Sequence, residues 1–208
     1  MRLYLVRHGM SVLNEQRIHQ QSSTPLSDKG LLQATLLAER FRTIPVDVVL
    51  SSHYRRAQHT AEIIAEAMGK TVEISPILHE AKRPTILQGK RYDDPESLSI
   101  RALIQEKSND PDWHYSDEEN ITDCQKRAQE FLRLLDGRQE ENILAVTHST
   151  FLHMIIAVML YDGEVDPAIF SKHLSFYIAA NTGVTICEKE KGGSWKLLTW
   201  SDQAHLGE

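Results

Sequence analysis

Leu3-Tyr4-Leu5-Val6-Arg7-His8-Gly9 decides how the rest of the chain is read. Four apolar residues run without interruption and stop at Arg-His-Gly. A short run of this kind fits a strand buried on both faces of an α/β sheet. In open sheets of that class, ligands bind beyond the carboxyl ends of the strands. His8 then stands where such a fold puts its chemistry.

The same pattern recurs downstream. Residues 46–50 and 142–146 read as buried strands that end in Ser51-Ser52 and in Thr147-His148. A helix follows each one: residues 54–68, stopped by Gly69, and a segment running on to about residue 160. The polar segment 9–27 reads as a long loop leading to a helix over about 27–42. Ser27 or Asp28 caps that helix, and Leu31, Leu32, Thr35, Leu36 and Phe41 are expected on its apolar face. Residues 71–74 form a short strand. The helix over 119–135 carries Ile121, Cys124, Ala128, Phe131, Leu132 and Leu135 at helical spacing. Residues 175–179, 183–190 and 194–200 read as strands joined by turns.

This order predicts an α/β fold: a three-layer α/β/α sandwich with a mostly parallel central sheet and an antiparallel edge strand. Residues 81–118 change character, with Pro84, Pro95, Pro111, many charges and one short helix at 95–107. They read as a cap-like insertion within a single domain spanning 1–208.

Composition narrows the function. The 208 residues are 41% hydrophobic and 25% charged, as in a soluble globular protein. The net charge of -6 argues against a general nucleic-acid binder but allows a local basic pocket. Two cysteines, Cys124 and Cys187, give no disulfide framework and no Cys-rich zinc module. The first residues lack a signal-peptide pattern, and the apolar segment 151–160 is about half the length that spans a bilayer. A cytoplasmic protein without a membrane partner is expected. His19, His53, His59, His79, His114, His153 and His173 lack metal-ligand spacing, so no metal or cofactor is expected and they read as surface or core residues.

If the strands are parallel neighbours, their ends bring Arg7, His8, Ser51, Ser52, Arg55, Arg56 and His148 to one side of the sheet, so that two histidines and two or three arginines share one pocket. Burying that much positive charge is costly without a counter-anion. The anion that best uses arginine's planar fork is phosphate. The constellation thus predicts a phosphate site.

The chain resembles the histidine phosphatase superfamily, the phosphoglycerate mutase-like group. The resemblance rests on Arg7-His8-Gly9-x-Ser11-x-x-Asn14, Pro25-Leu26-Ser27-x-x-Gly30-x-x-Gln33-Ala34 and Ser51-Ser52-x-x-x-Arg56-Ala57-x-x-Thr60-Ala61. Leu78-x-Glu80, Val146-Thr147-His148 and the closing stretch 200–206 come after them in order. The resemblance implies that His8 is a nucleophile forming a phosphohistidine, that Arg7 and Arg56 bind phosphate oxygens, and that His148 donates to one of them. It implies Glu80 as general acid and base, although Ala81-Lys82-Arg83-Pro84 departs from the aromatic-small run of mutase-like members. Asn14, Ser11 and Thr24 on the loop after the nucleophile are expected at the substrate phosphate. Arg55 is expected to be structural.

Lys82, Arg83, Lys90 and Arg91 fall within ten residues that contain no acid, and Lys82 and Arg83 are expected to line the substrate rim. A phosphomonoester hydrolase acting on a small phosphorylated metabolite is the leading reading. A phosphoglycerate mutase-type isomerase is the alternative; Met10 stands where mutase-like members carry Glu or Gln. A non-catalytic phospho-ligand-binding module is the third. The substrate and the oligomeric state stay open; Trp195 or Trp200 could mark a contact between copies or pack the terminal strands.

Overall fold

The computed structural model describes residues 1–207. Six strands form one sheet: β1 (Arg2–Arg7), β2 (Val48–Ser51), β3 (Val72–Ile74), β4 (Asn142–Thr147), β5 (Val184–Lys189) and β6 (Trp195–Asp202). Their spatial order is β3-β2-β4-β1-β5-β6. The first four are parallel; β5 and β6 are antiparallel and close one edge.

Seven α-helices lie among the described residues: α1 (Val12–Glu15), α2 (Asp28–Phe41), α3 (Arg55–Ala67), α4 (Pro95–Glu106), α5 (Ile121–Asp136), α6 (Ser149–Leu160) and α7 (Pro167–Phe176). Strand side chains alternate between faces, and here both faces are apolar. Leu3 and Leu5 pack with α5 and α6, while Tyr4 and Val6 pack with α2 and α3. That explains why β1 reads as one continuous apolar run. Helix α6 is buried along most of its length, as its apolar composition requires. No helix among the described residues is long and apolar enough to cross a membrane.

Two expectations are corrected. Helix α2 buries Gly30, Gln33, Ala34, Leu37, Ala38 and Phe41, whereas Leu32 and Leu36 face outward. Glycine stands at position 30 in the buried stripe because the backbone of residues 9–10 lies directly against it. A Cβ on Gly30 would stand 1.9 Å from the Met10 carbonyl oxygen, and one on Gly9 would stand 2.7 Å from that of Gly30. Residues 175–179 form no strand. Asp166 caps α7 with Pro167 in its first turn, and the helix runs through Phe176 before the chain extends.

Long-range contacts fix the loops that border the sheet. The loop after α1 pairs antiparallel with the 81–118 segment: His19 N–H donates to Lys90 O at 2.9 Å, and Tyr92 N–H to Arg17 O at 2.8 Å. The C-terminal stretch ties down residues 178–182. There Trp200 Nε1 donates to Ile178 O at 2.9 Å, and Ala180 N–H to Ser201 Oγ at 2.8 Å. Asp202 accepts from Arg40 of α2 at 2.5 Å, which anchors the stretch to the opposite helix.

Candidate active site

The ends of β1, β2 and β4 lie side by side, so each strand delivers its terminal polar residues to one place. His8 follows β1. Its N–H donates to Thr147 O at 3.0 Å, and its carbonyl accepts from Asn181 Nδ2 at 2.8 Å. The ring is buried. Nδ1 lies 2.7 Å from the Gly9 carbonyl, which can only accept, so the proton sits on Nδ1 and Nε2 carries the lone pair. Arg56 Nε–H donates to that lone pair at 3.1 Å. Burial first, then the charges of Arg56 and Arg7, hold His8 well below the ordinary imidazole range. The ring is therefore neutral and in one tautomer.

Arg56 lies in the first turn of α3, the helix after β2, and is buried. Its Nη1 donates to Gln21 O at 3.0 Å, and burial lowers its pKa to about 10. One turn on, Thr60 Oγ1 donates to Arg56 O at 2.8 Å and accepts the Gly9 N–H at 3.1 Å, which joins helix and nucleophile loop. Arg7 donates through Nη1 to Ala179 O at 2.7 Å, while its Nε is buried without a partner; burial lowers its pKa too. Among the described residues neither guanidinium has a carboxylate in ion-pair contact. Buried cations so arranged favour an anion between them.

His148 stands at the N-cap position of α6, straight after β4, without a side-chain capping bond, and is fully buried. Its ring centroid is 5.0 Å from that of His8. Nε2 lies 2.9 Å from Ser52 Oγ, and Nδ1 is buried without a hydrogen-bond partner. Ser52 Oγ also accepts the Tyr54 N–H at 3.2 Å. Burial, followed by the Arg56 charge, holds His148 well below the ordinary range. Glu80 lies at the N-terminus of the same helix. Its carboxylate accepts the N–H groups of Thr150 at 3.2 Å, Phe151 at 3.0 Å and Ala81 at 2.9 Å. It thus caps α6, accepting N–H groups that the first turn leaves without intrahelical partners.

Arg7, His8, Arg56 and Glu80 border a cavity of about 510 Å³. Its lining has five basic residues, Arg7, Arg56, Lys82, Arg83 and Arg101, against the single acid Glu80. Such a surface selects an anion. The family profile of the histidine phosphatase superfamily (branch 1) matches residues 3–203. The chain belongs to this superfamily. Among curated relatives, the adenosylcobalamin/alpha-ribazole phosphatase of Salmonella typhimurium is 30% identical over 198 residues, covering 90% of this chain and 92% of that protein. A protein of Enterobacter sp. named "Probable phosphoglycerate mutase GpmB" is 33% identical over 168 residues, covering 77% and 75%. Among solved structures, Bacillus stearothermophilus YhfR matches with a TM-score of 0.83 and 27% identity, covering 99% and 98% of the two chains.

Within this histidine phosphatase frame, the structure brings Arg7, His8, Arg56 and Glu80 to one cavity wall, with His148 against His8 beneath it. Asn14 lines the cavity, and its Oδ1 also accepts the Ser11 N–H in the α1 capping box. Ser11 and Thr24 are corrected: neither lines the cavity. Ser11 is fully buried as the α1 cap, with its hydroxyl donating to Gln20 Oε1 at 2.6 Å. Thr24 Oγ1 is buried and accepts the Gln21 N–H at 3.2 Å. Lys82 and Arg83 both line the cavity, but Lys82 is tied to Asp117 at 3.3 Å. Arg55 pairs with Glu62 on the surface, as a structural residue would.

Sequence reasoning missed Gln21, Asn181, His19 and Arg101. Gln21 acts through its backbone carbonyl, which leaves no side-chain signature, and Asn181 through a side-chain amide that donates to the His8 carbonyl from a stretch read as a turn. Thr60 was visible as part of the Arg56-Ala57-x-x-Thr60 motif.

Proposed function

We propose that this chain is a phosphomonoester hydrolase that acts through a phosphohistidine on His8, with a small phosphorylated metabolite as substrate. The observation that carries the reading is the pair of bonds on the His8 ring. Nδ1–H is fixed on Gly9 O, and Nε2 stands free of a proton beside Arg56 and the cavity.

The substrate phosphoryl group enters between Arg7 and Arg56. Its oxygens take over the Arg56 guanidinium, and the Nε2 lone pair is released. Nε2 attacks phosphorus; the N–P bond forms as the P–O bond to the alcohol breaks. The departing electron pair goes to the alcohol oxygen, and Glu80 delivers a proton to it. Water then attacks phosphorus and passes a proton to Glu80, and the N–P electron pair returns to Nε2. Throughout, Nδ1–H on Gly9 O steadies the ring as it gains charge.

When the Ser52 hydroxyl donates to Nε2 of His148, the proton of that ring sits on Nδ1 as a free donor for a phosphoryl oxygen. Arg7 and Arg56 thereby supply the charge neutralisation that phosphoryl transfer requires, and His148 adds a neutral hydrogen-bond donor, so turnover proceeds without a metal. Asn14 contributes from the opposite loop. The 81–118 segment serves as a cap on a single domain. Two buried free thiols, Cys124 and Cys187, suit a reducing compartment such as the cytoplasm.

The relative named as a mutase favours one second reading, in which the phosphoryl group returns from His8 to the bound product. A phosphate-release panel of phosphomonoesters, run with a metal chelator and beside His8→Ala, separates the two. Hydrolysis predicts stoichiometric free phosphate that the variant abolishes. Redistribution of phosphate between hydroxyls without release would support the mutase, and binding without either would support the non-catalytic module.

A further inference from the structure

Tyr54 joins three groups that the proposed reaction uses. It stands at the N-cap position of α3, where its side chain makes no capping bond. Side chains that serve a helix at that position are short and polar, so the helix does not account for the ring. The residue is half-buried and lines the active-site cavity. The Arg56 guanidinium lies over the ring face, with Cζ 5.1 Å from the centroid. His148 meets the ring edge-on, with centroids 5.1 Å apart and planes at 64°. The ring also stacks with His79, at 6.0 Å and 25°. His79 immediately precedes Glu80, and its Nδ1 lies 2.7 Å from the Glu80 carbonyl oxygen. Arg56 follows β2, Glu80 follows β3 and His148 follows β4, so one ring links three strand ends.

Arg56 and His148 have to be held without being occupied. Arg56 donates to His8 Nε2 and to Gln21 O, and in the proposed reaction it gives up the first bond when a phosphoryl group enters. A carboxylate would hold the guanidinium firmly, but it would take the hydrogen bonds meant for phosphate and repel the substrate. A ring face attracts the cation through its quadrupole and leaves the guanidinium N–H groups to other acceptors. The phenol adds no charge near pH 7, because burial raises it above its ordinary value. His148 poses the same problem. Its Nδ1 is buried without a hydrogen-bond partner, and an edge-to-face contact fixes the ring plane while leaving that nitrogen open. Donors assist phosphoryl transfer most when they are set in advance where charge develops.

We propose that Tyr54 is a positioning residue: its ring holds the Arg56 guanidinium and the His148 imidazole where they meet the phosphoryl oxygens of the transition state. This rests on the hydrolase reading of the same site. The face and edge of the ring do the positioning, and the hydroxyl does not.

The test separates the ring from its bulk. Tyr54→Phe keeps the ring. Tyr54→Leu and Tyr54→Met keep apolar volume without a π face, and methionine adapts to the space where leucine packs poorly. Steady-state phosphate release from an ester that the wild type turns over, melting temperature, and dissociation constants for orthovanadate and inorganic phosphate are measured on all four proteins. Orthovanadate takes up the five-coordinate geometry of the transferring group, whereas inorganic phosphate reports the ground state. Tyr54→Phe should match the wild type throughout. Both non-aromatic variants should lose about tenfold in kcat, the worth of one desolvated cation–π contact, with KM little changed. Their affinity for orthovanadate should fall by the same factor while that for phosphate holds. Wild-type kcat in either non-aromatic variant, an equal loss in Tyr54→Phe, or equal weakening of orthovanadate and phosphate would overturn the proposal. The hydrolase reading fails by a different sign: the protein with Tyr54 intact releases no phosphate in a His8-dependent way.

Discussion

Arg56 Nε donates to His8 Nε2 across 3.1 Å, on the same lone pair that attacks phosphorus in the proposed reaction. The guanidinium covers the nucleophile and leaves it when phosphoryl oxygens offer stronger, charge-assisted bonds. It is buried with no acid in ion-pair contact among the described residues, so it works at a cost to the fold. Arg56→Ala is therefore expected to lower kcat/KM by about 100-fold or more, the loss typical of a transition-state donor. Its Tm should stay level or rise. Phosphate release and thermal melts on the same preparation check both halves; a large fall in Tm would mean that Arg56 serves mainly as structure.

Glu80 has two separable duties. As a cap it accepts the Thr150 and Phe151 N–H groups; as an acid it serves the alcohol oxygen. Glu80→Gln keeps an acceptor for the cap but has no proton to exchange. It should lower kcat by about 100-fold or more while changing Tm little. Glu80→Ala should in addition cost about 1 kcal/mol of stability, the usual loss on removing a helix cap. Equal activity in wild type and Glu80→Gln would remove Glu80 from proton transfer.

Gly9 and Gly30 let the nucleophile loop lie on α2. In Gly30→Ala the new Cβ would meet the Met10 carbonyl at 1.9 Å, and the obstacle is backbone. Overpacking typically costs about 1–3 kcal/mol, and this site belongs at the upper end because neither partner can rotate away. The variant should melt well below wild type and lose activity, since the displaced loop carries His8. An unchanged melting curve would contradict the contact.

Stability should depend on pH through the buried histidines. Burial holds His8 and His148 well below 6.5 and lowers His19 and His153 to about 4. The unfolded chain binds protons on these rings near pH 6.5, while the folded protein does not. Between those values the unfolded state carries more protons, so stability rises with pH across the window. Tm should be level above about pH 7 and fall as pH drops from 6.5 towards 4. A Tm constant from pH 7 to pH 5 would show that the rings titrate alike in both states.

Much of the fold and the site was readable in the residues. β1, β2 and β4 announced themselves because strands buried on both faces need continuous apolar runs, and their ends carried His8, Arg56 and His148 to one place. The face of α2 was misread because apolarity was not what decided it. Gly30 is buried to admit the Met10 backbone, and Gln33 to accept the Met10 N–H at 2.9 Å. Residues 175–179 look strand-like in composition, yet the Asp166-Pro167 cap commits the chain to a helix that runs into them. Ser11, which fits the motif, and Thr24, on the same loop, serve the loop's own hydrogen bonds. His19 and Arg101 gave no signal, because they come together only when residues 17–19 pair with 89–92.

The most direct test is to find the phosphorylated atom. A turned-over ester is quenched in alkali during the steady state, and the protein is mapped by peptide mass spectrometry and phosphorus NMR. Covalent catalysis by His8 predicts an acid-labile phosphoryl group on Nε2 of that residue, absent in His8→Ala. Turnover with no phosphoprotein at any quench time, or with the label on Nδ1 or on another residue, would contradict it.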